Sequence, residues 1–109
     1  MAAGFSIDEE RSGAGHKLAL KGELDLAAAY DLETALSRLC GPGGQIELDL
    51  RGITFMDSMG MRSLLTARDM CTESGSELLV IAGEGQRKML EVTGLIDILP
   101  LHGGDEQTA

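Results

Sequence analysis

With 109 residues, 43% of them hydrophobic, the chain has material for one core of ordinary size, so a single domain over residues 1–109 is expected. Two prolines and 25% charged residues, with no single-residue tract, exclude disordered and collagen-like compositions. A formal charge of −9 repels phosphate backbones and anionic lipid, and two Phe and one Tyr leave little to stack on bases, so neither nucleic acid nor membrane is an expected partner.

The chain opens on Met1-Ala-Ala-Gly-Phe-Ser-Ile-Asp8, which has neither the cationic region nor the apolar stretch of a secretory signal. No apolar run approaches the roughly 20 residues needed to cross a bilayer, and a cytoplasmic location is expected. Phe5 to Glu9 and Lys17 to Glu23 alternate apolar and polar residues around Ser12-Gly-Ala-Gly15, which predicts an antiparallel hairpin with His16 in its turn. A helix follows: Asp25 is placed to cap it, Leu32, Ala35, Leu36 and Leu39 repeat on one face, and Gly41-Pro-Gly-Gly44 stops it.

Gln45 to Leu50 alternates again, with Ile46, Leu48 and Leu50 on one face and Glu47 and Asp49 on the other, Asp49 expected as an ordinary solvated strand residue. A second helix is predicted from Asp57, burying Met61, Leu64, Leu65, Ala67 and Cys71 and ending in a left-handed cap at Gly75. Leu78-Leu79-Val80-Ile81 reads as a strand covered on both faces, Gln86 to Thr93 as a short helix ending at Gly94, and Leu95 to Leu99 as an edge strand or packed loop. The packed part is expected to span about residues 5–101, with a flexible tail at 102–109. The order specifies an α/β fold: a mixed sheet, antiparallel at its N-terminal hairpin and parallel thereafter, with helices packed against it.

Cys40 and Cys71 fall in no C-x-x-C pair and read as two reduced thiols in helices, with no disulfide framework. His16 and His102 are too isolated for a metal pair or a catalytic triad. Gly83-Glu-Gly85 lacks the glycine spacing and lysine of a phosphate-binding loop. Glu23, Asp25, Asp49 and Asp57 offer oxygen ligands of the kind magnesium wants, but Asp25 is accounted for as a cap and Asp49 as a solvated residue.

The segment with most to say is Asp57-Ser-Met-Gly60, at a strand-to-helix junction. Ser58 falls at the cap or in the first turn, where unpaired N–H groups and the positive end of the helix dipole accommodate a phosphate. Gly60 leaves the surroundings uncrowded. On local pattern alone, Asp57 and Ser58 are better explained as mere capping residues, which Asp and Ser commonly are.

Two longer stretches add to this. Lys21-Gly-Glu-Leu-Asp25, then Ile46-Glu-Leu-Asp-Leu-Arg-Gly-Ile-Thr-Phe-Met-Asp-Ser-Met-Gly-Met61, with a late Thr93-Gly94-Leu95 turn, resemble the paired signature of STAS domains of the anti-anti-sigma class over roughly Phe5 to Leu101. The resemblance implies a non-catalytic anti-sigma factor antagonist, without cofactor or metal of its own. Its unphosphorylated form would bind an anti-sigma factor that is also a serine kinase, and so free a sigma factor. Phosphorylation of the motif serine, here Ser58, would end that binding, and a metal-dependent serine phosphatase would restore it. The kinase supplies ATP, magnesium and the catalytic base. The implied docking face comprises Asp25, Asp57, Ser58, Met59, Gly60 and Arg62. Where the family usually has a small residue after the serine and Leu after the glycine, this chain has Met59 and Met61. Met59 is expected to point outward and to tune partner choice.

A receiver domain is the rival for Leu48-Asp-Leu-Arg51 and Met56-Asp57, but receivers need an acidic pair after the first strand and a lysine after the fifth, and this chain has no lysine beyond Lys88. The remaining alternative is a STAS module that serves as a constitutive subunit of a transporter or stress-signalling assembly, with Ser58 acting only as a cap.

Overall fold

The computed structural model describes residues 4–13 and 15–101. Ala14 of the hairpin turn, His102 and the tail lie outside them. In chain order the elements are β1 (Phe5–Ser12), β2 (Gly15–Leu24), α1 (Leu26–Leu39), β3 (Gln45–Met56), α2 (Ser58–Ser74), β4 (Glu77–Ile81), α3 (Glu84–Thr93) and a 3-10 turn at Leu95–Asp97. The four strands lie in the order β1-β2-β3-β4, with β1 antiparallel to β2 and the other pairs parallel. This is the mixed α/β sheet that the alternation patterns predict.

The alternating apolar residues of β2 and β3 meet the helical stripes in one core. Leu18, Leu20 and Leu24 of β2, Ile46, Leu48 and Leu50 of β3, Leu32 and Leu36 of α1, Leu64 of α2 and Leu90 of α3 are all fully buried. Each such side chain contributes about 1.5–3 kcal/mol of transfer free energy. Gly75 (φ +83°) and Gly94 (φ +81°) end α2 and α3 in the left-handed caps expected of them. The segment Leu95 to Leu99 is neither edge strand nor plain loop: it opens with the 3-10 turn, and Leu101 then makes an isolated parallel bridge to Val80. His16 is not in the turn either, because the hairpin is tighter than its polar residues suggest and His16 pairs with Arg11 inside the strands.

The main departure from simple alternation is in β3. Its register against β2 slips between Ala19 and Lys21 and again between Gly22 and Glu23, each time with an extra residue on β3. Such bulges bend a strand and shift the phase of its side chains, so that after Ile46, Leu48 and Leu50 the next buried apolar residues are Ile53 and Met56, three apart instead of two. Asp49, expected in solvent, is only 8% exposed. Its carboxylate takes Nε and Nη2 of Arg51 at 2.9 and 2.8 Å and the Arg51 backbone N–H at 3.0 Å, with Lys17 Nζ at 3.8 Å. The same carboxylate thus satisfies an amide at the bulge and anchors a bidentate guanidinium.

β4 pairs with β3 only as far as Asp49. Beyond that point Gln86 of α3 takes over, its Nε2 donating to Ile53 O at 2.7 Å and Arg51 O at 3.4 Å, while its Oε1 accepts from Gly83 N at 2.9 Å. One side chain therefore closes the N-terminus of α3 and fastens it to the sheet.

The Arg51 hydrogen bonds, helped by Lys17, hold the Asp49 carboxyl below the usual carboxylate range against the opposing effect of burial. A depressed folded pKa contributes stability that is fully present above the unfolded value of about 4 and lost as pH falls through the folded value. Asp49→Asn is expected to lower stability by about 1–3 kcal/mol at neutral pH. The deficit should shrink in urea melts at about pH 3; a deficit equal at both pH values would contradict the charge-assisted pairing.

Candidate docking and phosphoacceptor site

β2 and β3 run in parallel and finish side by side at the paired residues Leu24 and Met56. The residues that follow therefore start two helices next to each other at the carboxyl end of the sheet, where open α/β folds commonly bind ligands. Asp25 caps α1, its Oδ1 accepting from Ala28 N at 3.0 Å, and Asp57 caps α2, its Oδ1 accepting from Gly60 N at 2.8 Å. Asp57 N also donates to Leu24 O at 3.4 Å, which joins the two starts. Both carboxylates have extended backbones (φ −116° and −97°), as the cap position requires.

Two glycines of the quoted motifs owe their place to close approach. Gly22 has φ +103°, and a Cβ there would lie 1.8 Å from Gly4 O. Gly60 is buried, and a Cβ on it would lie 1.8 Å from Leu24 O. The expectation that Gly60 keeps open space near Ser58 is thus corrected: it lets α2 touch the end of β2.

Ser58 is the first residue of α2 and is exposed, and its hydroxyl makes no hydrogen bond to another described residue. The amides of Ser58 and Met59 lie in the first turn, without intrahelical acceptors. Met59 is exposed at 40%, and beside it at the start of α1 stand Leu26 at 47% and Tyr30 at 64%.

Two grooves flank the first turns of α2. One, of about 350 Å³, is lined by Ser58, Met61, Arg62, Leu65, Thr93 and Leu95. The other, of about 210 Å³, runs between α1 and α2 and includes Leu26, Tyr30, Glu33, Met59 and Arg62. Arg62 borders both. Met61 and Leu65, expected in the core, are half-buried because the first groove leaves one side of each uncovered.

The structure brings together Asp57, Ser58, Met59, Gly60 and Arg62, with Asp25 at the neighbouring helix start. Asp49 stands apart with Arg51. Among the described residues no three His, Cys, Asp or Glu side chains gather closely enough to hold a metal ion, and no helix is long and apolar enough to cross a membrane. Leu26 and Tyr30 are the neighbours that the sequence reading missed. A signal existed for both, since Leu26 and Tyr30 are four apart and off the stripe of Ala28, Leu32, Ala35 and Leu36 that α1 buries.

Comparison with known proteins gives the same outline. The chain is 24% identical over 103 residues to the anti-sigma-B factor antagonist of Bacillus subtilis strain 168, covering 94% of each. It superposes on an anti-sigma factor antagonist from Mycobacterium paratuberculosis with a TM-score of 0.78, at 22% identity over 94% of this chain and 89% of that one. For the Bacillus cell fate determinant SpoIIAA the TM-score is 0.65 in the unphosphorylated form (19% identity, 94% and 93% covered) and 0.64 in the phosphorylated form (18%, 94% and 96%). The family model described as "Mlab, STAS domain" matches residues 7–100, from β1 through all the helices to the end of the packed chain, and the protein therefore belongs to the STAS domain family.

Proposed function

We propose that the chain is an anti-sigma factor antagonist switched by phosphorylation of Ser58. In this reading the unphosphorylated form binds an anti-sigma factor that is also a serine kinase, through Asp57, Ser58, Met59, Gly60 and Arg62 together with the start of α1 at Asp25. The names of the relatives support an anti-sigma factor as partner. The observation that carries the switch is the exposed Ser58 hydroxyl at the head of α2, next to exposed Met59 and between the two grooves that Arg62 borders.

The chemistry follows from that placement. The kinase brings ATP, magnesium and a base to an oxygen that solvent already reaches. The phosphate adds about −1.5 to −2 charges at neutral pH and meets the free amides and positive dipole end of the first turn, so the fold accommodates it. The docking face does not, because a dianion among apolar contacts must be desolvated without a partner. A metal-dependent serine phosphatase would reset the cycle. The test is the affinity of the purified cognate anti-sigma factor for the parent chain and its variants, Ser58→Ala retaining binding and Ser58→Glu losing it. Equal binding by all three would favour a constitutive interaction module in which Ser58 is only a helix residue.

A further inference from the structure

Cys40 and Cys71 lie where the C-terminal ends of α1 and α2 are tied together. The expectation of two thiols within helices is corrected for Cys40: α1 ends at Leu39, and Cys40 is its extended C-cap, half-buried, its amide donating to Leu36 O at 2.8 Å. After it, Gly41 N donates to Ser76 Oγ at 2.8 Å and Gly41 O accepts from the same hydroxyl at 2.7 Å, while Gly43 N donates to Gly75 O at 3.0 Å. These bonds pin the loop after α1 against the end of α2, whose last turns carry Cys71. The two Sγ atoms, 31 residues apart in sequence, are 3.6 Å from each other.

We infer that Cys40 and Cys71 are an oxidative modification site, closing to an intramolecular disulfide when the chain meets a hydroperoxide. A disulfide has an S–S length of about 2.05 Å, so the sulfurs need to approach by about 1.5 Å, a distance that side-chain rotation covers at a C-cap residue followed by glycine. Access is one-sided. Cys71 is buried, whereas a surface hollow of about 330 Å³, lined by Leu36, Ser37, Cys40, Met70, Glu73 and Ser74, opens onto Cys40.

The order of events follows. The Cys40 sulfur attacks one peroxide oxygen and the O–O bond breaks, giving a Cys40 sulfenic acid and water. The Cys71 sulfur then attacks Cys40 Sγ, and the departing hydroxide takes the Cys71 proton as a second water. Each sulfur loses one electron and the peroxide gains two. Burial, reinforced by the contact with Cys40, pushes the Cys71 thiol up to about 12, so the first oxidation falls to Cys40, which the hollow exposes.

The experiment treats the reduced full chain with hydrogen peroxide, blocks remaining thiols by alkylation and maps the products by mass spectrometry without reduction. The expected product is a monomer lighter by two hydrogens, with Cys40 and Cys71 joined and dithiothreitol restoring both thiols. Cys40→Ala and Cys71→Ala should each abolish that product. Thiols that both remain free to alkylate, oxidation that runs on to sulfinic acid, or disulfides formed only between chains would overturn the assignment.

Discussion

Ser58→Glu is expected to weaken binding to the cognate anti-sigma factor by more than a hundredfold, which corresponds to about 3 kcal/mol. The loss comes from placing a fixed negative charge beside Met59 and the groove that Leu26 and Tyr30 line, where contact with a partner removes the water that solvates it. The fold is expected to move the other way. A carboxylate at the first position of α2 meets the positive end of the helix dipole, worth about 0.3–1 kcal/mol of stabilisation, so the melting temperature should hold or rise slightly. Ser58→Ala removes one exposed hydroxyl and should bind within about threefold of the parent. Calorimetric titration and thermal melts separate the two effects; a Ser58→Glu variant that binds like the parent would refute electrostatic gating.

Gly60→Ala is expected to be the most damaging small substitution in the site. Its Cβ would lie 1.8 Å from Leu24 O, 2.7 Å from Leu24 C and 3.1 Å from Leu24 Cγ. The first two are backbone atoms at the end of β2, an interior strand, so a rotamer change gives no relief and α2 must withdraw from β2. Overpacking of this kind costs about 1–3 kcal/mol even where side chains can yield, and it outweighs the gain of about 1 kcal/mol from replacing a helical glycine. The melting temperature should fall by about 10 °C. Gly85→Ala is the control: it also lies near a helix start, but a Cβ there meets nothing within 4 Å, so the variant should melt at or slightly above the parent. Equal melting of the Gly60 and Gly85 variants would show that the close approach is unimportant.

The parts of the site legible in the sequence are those governed by local chemistry. Asp25 and Asp57 are caps because a short carboxylate in extended backbone reaches the amide three residues on, and that bond is a property of a few consecutive residues. The same holds for Gly75 and Gly94 at the helix ends. What stayed hidden depends on partners distant in the chain. Asp49 is covered by Arg51 and by Lys17 of β2, which no alternation within β3 reveals, although an acid and an arginine two apart on a strand were a hint. Gln86 binds carbonyls more than 30 residues away, and the role of Gly60 depends on Leu24. Met61 and Leu65 carry the right period for a core, yet the groove toward Leu95 leaves them half covered, because α3 and the 3-10 turn do not close over them.

The most direct measurement is of where a phosphoryl group goes. The parent chain and Ser58→Ala are incubated with the cognate kinase, magnesium and ATP, and the products are mapped by tandem mass spectrometry. A single phosphate on Ser58, and none on the Ser58→Ala chain, is the predicted outcome. A phosphate carried at another residue, or a parent chain left unmodified by a kinase that binds it, would contradict the account.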